Sequence, residues 1–138
     1  MSRKTQNILA LSASVLGLIL AVGAKTFLRP CVHADGSPAA CAGVGDTLFW
    51  LSLILAAAGA LFVLARGTGR TVSAAGMVIL SGAVALTPGK LQPICEMAQM
   101  RCRLVTRPGA LVGGVLCAGL SLAAFAGALL AQRRGSKK

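Results

Sequence analysis

Four long runs of apolar and small residues, none interrupted by a charge, divide the chain: Ile8–Ala24, Thr47–Ala65, Thr71–Leu86 and Pro108–Ala131. Their lengths bracket the roughly 20 residues a helix needs to cross a hydrocarbon core about 30 Å thick. Thr71–Leu86 is the shortest. With flanking residues the runs predict spans of about 8–27, 47–65, 71–87 and 108–131, with outer connections over 28–46 and 88–107. The expected fold class is therefore an all-α integral membrane protein: one four-span domain over 1–138, a transmembrane bundle of two similar helix–loop–helix hairpins.

The ends of the runs bear helix punctuation. Asp46 and Thr47 precede Leu48-Phe49-Trp50, so an oxygen side chain is placed to cap the second helix, and Trp50 falls at interface depth. Thr87-Pro88-Gly89 stops the third, and Pro108 suits the first turn of the fourth. Arg66-Gly67-Thr68-Gly69-Arg70 reads as a tight basic turn between spans two and three. The two longer connections echo one another. Leu28-x-Pro30-Cys31 and Leu91-x-Pro93-x-Cys95 are each followed by a second cysteine, Cys41 or Cys102, and then by a new span. A duplicated hairpin produces such a pattern.

Composition agrees with lipid as the main solvent. Of the 138 residues 56% are hydrophobic and 12% charged, against about 25% charged in a soluble domain. The net charge of +11 does not signal nucleic acid, because the basic residues sit in short clusters at span ends, with no basic helix face or aromatic platform. They orient the chain instead. One side holds Arg3, Lys4, Arg66, Arg70, Arg133, Arg134, Lys137 and Lys138, which is eight; the other holds Lys25, Arg29, Lys90, Arg101, Arg103 and Arg107, which is six. That majority predicts a bacterial cytoplasmic (inner) membrane protein with cytoplasmic termini and extracytoplasmic cysteine connections. Ser2-Arg3-Lys4 before an apolar run imitates a signal peptide. Cleavage after Ala24 would leave three spans and break the hairpin repeat, so an uncleaved anchor is expected.

Four of the five cysteines fall in the outer connections. The first reading is two structural disulfides, Cys31 with Cys41 and Cys95 with Cys102, in an oxidising compartment. A second is thiol–disulfide exchange by Cys95, Cys102, Cys31 and Cys41. Neither pair has Cys-x-x-Cys spacing, although Arg101 and Arg103 beside Cys102 would favour a thiolate. A third is a soft-metal site, with Cys31-x-His33, Met97 and Met100 as ligands for Cu(I). Cys117, in mid-span, reads as a small buried hydrophobe.

No Asp, Glu, Lys, Arg or His occurs within the four runs, which argues against a self-sufficient pump, transporter or selective channel. With His33 the only histidine, no Ser/His/Asp set can form, and no nucleotide-binding glycine loop is present. Gly119, Ala123, Gly127 and Ala131 form a small-residue stripe expected to pack within the bundle.

Pro30-Cys31-x-x-x-Asp35-Gly36 with Cys41, and Ile94-Cys95, Met100-x-Cys102-Arg103 and Thr106-x-Pro108-x-Ala110-Leu111, resemble the two conserved loops of the domain of unknown function 4418 family. The first loop departs from that pattern after Cys41, where Ala42-Gly43-Val44 follows. The resemblance implies a bacterial four-span membrane protein of uncharacterised function, of a kind that accompanies ABC-type export permeases. The expected function is a non-enzymatic accessory or interaction subunit of a membrane complex. Its partners would be the bilayer and other membrane-protein subunits, without nucleic acid and without a cofactor. The alternatives are a DsbB-like oxidoreductase, which would require quinone, and a copper-binding membrane protein.

Overall fold

The computed structural model describes residues 2–28, 42–91 and 102–135. These form four helices: α1 (Arg3–Lys25), α2 (Ala42–Leu64), α3 (Thr68–Leu86) and α4 (Arg107–Gly135), the last entered through a π-helical turn, Cys102–Thr106. All four are long and apolar enough to cross a membrane. At about 1.5 Å per residue, even the 19 residues of α3 approach the thickness of a hydrocarbon core.

Local chemistry sets the boundaries. Ser2 caps α1, its Oγ accepting from the Thr5 amide at 3.3 Å. α3 ends where expected: Thr87 Oγ1 donates to the Ala83 carbonyl at 2.7 Å, proline follows, and Gly89 turns the chain at φ 90°, a region that favours glycine. The start of α2 differs from the sequence reading. The helix begins at Ala42, because neither proline nor charge prevents Ala42–Gly45 from joining it. Asp46 and Thr47 thus lie inside the helix and do not cap it. Asp46 is instead exposed in its second turn, paired with Lys25 of α1. Trp50 is exposed, its ring edge-on to Phe49 with 5.4 Å between ring centres.

The helices close a ring in which α1 packs on α2, α2 on α3, α3 on α4 and α4 on α1. Paired levels show that neighbours run antiparallel. Gly17 meets Ser52 while Gly59 meets Ala10 and Ser14; Gly114 meets Ala85 while Thr71 bonds Gln132; Leu28 meets Gly109 while Ala13 meets Cys117. The two cysteine-bearing connections are therefore rooted at one end of the bundle, and the chain termini with the α2–α3 turn at the other.

Side-chain size is distributed in reverse of a water-soluble core. The interior is lined by Ala10, Ala13, Ala21, Ala74, Cys117 and Ala124, with Leu28, Leu48, Leu55, Phe62 and Met77 as its large members. Ile8, Val15, Leu18, Val22, Leu61, Ile79, Val115 and Leu122 face outward. In lipid there is no apolar driving force between helices, so small residues that permit close backbone approach form the contacts. The buried seam of α4 runs through Ala110, Gly113, Gly114, Cys117, Ser121, Ala124 and Ala128. This corrects the expected stripe. Gly127 is buried, but Gly119 is exposed with nothing within 4 Å of where a Cβ would be, and Ala131 is exposed.

Candidate functional site

At the end where the cysteine connections are rooted, the stems of the two hairpins are joined. Thr106 Oγ1, at the close of the π-helical turn, donates to the Leu28 carbonyl at 3.1 Å, with both residues buried. The Leu28 side chain lies over Gly109. Lys25 reaches across to Asp46 and also sits 5.2 Å from the centre of the Phe49 ring. Removing the hydroxyl with Thr106→Val keeps the shape and strands the carbonyl. A loss of about 1 kcal/mol is expected, read as a lower midpoint of unfolding in detergent.

Of the residues singled out in the sequence, Cys31, His33, Cys41, Cys95, Met97 and Met100 lie outside the described residues. Cys102 begins the π-helical turn, and the conformation of its side chain is not described. The pair Cys31–Cys41, and the Cys95 half of the pair Cys95–Cys102, thus lie outside the described residues. Cys117 is a free, fully buried thiol in the core, its Sγ 4.0 Å from the Ala13 carbonyl, as expected of a small hydrophobe.

The opposite end holds a feature that the sequence reading placed in a turn. Helix α3 starts at Thr68, so Arg70 is helical, and it is buried, with 8% of its surface exposed. The run Thr71–Leu86 is itself free of charge, as read; it is the earlier start of the helix that brings Arg70, expected in the preceding turn, onto the buried face. Arg70 Nη2 donates to Asn7 Oδ1 at 2.8 Å, and the guanidinium lies 4.5 Å above the Phe62 ring. Its Nε is enclosed and has no hydrogen-bond partner. A signal for this was present in the sequence. The buried positions of α3 are Arg70, Ala74, Met77, Ser81 and Val84, a spacing of four and three that places Arg70 one turn before Ala74 on the same face.

Arg70 lines a cavity of about 450 Å³ with Arg3, Gln6, Arg66, Gly67, Ala128, Ala131 and Gln132. Three arginines meet there, two of them at an exposed rim. All three acidic side chains of the protein, Asp35, Asp46 and Glu96, belong to the segments between α1 and α2 or α3 and α4, or to the helix start beside them. The sequence thus provides no carboxylate side chain on the elements that form this cavity.

A helical bundle with four helices long and apolar enough to cross a membrane, small residues at its contacts and charged groups gathered at its ends defines a multi-pass membrane protein. The chain belongs to the family described as a domain of unknown function (DUF4418), which matches residues 13–126. The match takes in both cysteine connections, Arg66 and Arg70, and stops short of Arg3 and of the last turns of α4. No curated protein and no solved structure matches the chain.

Proposed function

We propose that this protein is a non-enzymatic accessory or interaction subunit of a membrane complex in the bacterial cytoplasmic membrane, with an ABC-type export system as the candidate setting. The observation that carries this reading is the closeness of its helices. A Cβ on Gly114 would lie 2.7 Å from the Ala85 amide nitrogen, and one on Gly17 would lie 3.2 Å from the Ser52 carbonyl oxygen. Helices that meet at backbone distance are suited to holding a shape, and they leave the two polar ends and the lipid-facing surface to meet other molecules. The lysine and arginine majority at the terminal end supports cytoplasmic termini.

The cysteine connections, rooted together on that account outside the cytoplasm, would be held by Cys31–Cys41 and Cys95–Cys102 disulfides. A ten-residue loop closed in this way stabilises by roughly 3 kcal/mol in the chain-entropy view. Peptide mapping without reductant is expected to recover one bridge within each connection. A bridge between connections, such as Cys41 to Cys95, would contradict the stapled arrangement and favour exchange chemistry. The subunit reading is tested by native electrophoresis of membranes dissolved in mild detergent. The chain should migrate in a discrete, stoichiometric assembly with other membrane subunits. Migration of the protein alone at every expression level would contradict it.

A further inference from the structure

Arg70 presents an incomplete account of a buried cation. Burying an arginine is tolerated when its donors find acceptors, and the fork of five N–H groups offers more than Asn7 Oδ1 takes up. The Phe62 face answers the charge in part. Nε is left without a partner, and Arg3 stands near enough for the two positive charges to repel each other. Arg66 adds a third positive charge at the rim. Gly67, which precedes α3, brings no side-chain oxygen to its first-turn amides, so these add to the positive potential on the same side. All of these features are relieved by one kind of guest, a compact anion with several acceptor oxygens.

We infer that this cavity binds a phosphate group, and the apolar Ala128 and Ala131 on its wall favour the headgroup of an anionic phospholipid as the source. Basic pockets between transmembrane helices at an interface take lipid phosphates in this way. Arg3 and Arg66 at the rim would receive the phosphate oxygens, and Arg70 would hold the charge from within. The acyl chains would continue along the outer face of the bundle, where large apolar side chains are exposed.

The test uses the full chain purified in a neutral detergent, with bound lipid counted by native mass spectrometry. Phosphatidylglycerol and phosphatidylcholine with identical acyl chains are titrated separately, and inorganic phosphate is added in a third arm. Phosphatidylglycerol should bind in preference to phosphatidylcholine. The double variant Arg3→Gln with Arg66→Gln should weaken that binding about thirtyfold, the loss of two headgroup-facing cations. Both residues are exposed, so the thermal midpoint of the variant should match the parent. Lys4→Gln with Arg133→Gln removes as much charge from the same end outside the cavity and should leave the binding within a few-fold. Displacement of phosphatidylglycerol by equimolar inorganic phosphate would keep the phosphate site and overturn the lipid as its source. Equal binding of the two lipids, or equal losses in the two double variants, would overturn the site itself.

Discussion

Gly114→Leu is expected to destabilise the bundle by about 3 kcal/mol, at the upper end of the usual cost of overpacking. The reason is the nature of the neighbour. A Cβ at position 114 would meet the backbone of Ala85, at 2.7 Å from its nitrogen and 2.8 Å from its Cα, and backbone inside a helix cannot rotate away. Helices α3 and α4 would have to separate, and the contacts around Ala85 and Ala110 would be lost with them. Gly119→Leu is the matched control on the same helix. Position 119 is exposed with nothing within 4 Å, so the added side chain projects outward and the change should stay within about 0.5 kcal/mol. Unfolding both variants in mixed micelles with increasing denaturing detergent provides the comparison. Equal losses at the two positions would contradict the packing described for α3 and α4.

Asn7→Leu should produce the second large effect, about 2 kcal/mol, within the range for a hydrogen bond to a charged group. The side chain it removes is the acceptor for Arg70, and the cation stays buried with only the Phe62 face to answer it. Arg70→Met removes the charge together with the need for an acceptor. On that background Asn7→Leu should cost little, so the double variant is expected to fall well short of the sum of the single ones. A coupling of about 1 kcal/mol or more in the double-mutant cycle is the expected result. Additive losses would show that Asn7 and Arg70 act independently, contrary to the geometry.

Much of the fold is legible in the chain because the bilayer imposes so simple a rule. Uncharged runs of span length, proline and glycine at Thr87–Gly89 and a glycine-bearing turn near Gly67 suffice for four helices in antiparallel order. Two errors have the same physical origin. Asp46 reads as a cap and Arg70 as the end of a glycine-rich turn because the uncharged runs begin just after each of them, whereas both lie inside helices. Charge excludes a residue from lipid, but it does not exclude one from a helix whose end projects toward the interface or whose face is covered by protein. Asp46 found Lys25 across the α1–α2 contact, and Arg70 found Asn7 and Phe62. The α4 stripe failed for a different reason. So many positions of that helix are small that composition alone does not select the packed face, and the seam through Gly113, Gly114 and Cys117 is fixed only by what Leu20, Ala85 and Ala13 present to it.

The candidate sites divide in the same way. The cysteines stand out in sequence because their chemistry is distinctive and their spacing repeats. The arginine-lined cavity does not, because Arg3, Arg66 and Arg70 are scattered along the chain and only the turn of the α2–α3 hairpin toward the start of α1 gathers them.

We propose that the termini and the cysteine connections lie on opposite sides of a membrane crossed four times. Labelling of sealed membrane vesicles of known orientation with a membrane-impermeant maleimide tests it, after mild reduction, using Ser2→Cys and Ser136→Cys in a background whose other cysteines are replaced, alongside the parent chain. The parent's cysteines should label from one face only, and the two terminal cysteines from the other face only. Labelling of a terminus and the connections from the same face would contradict the account.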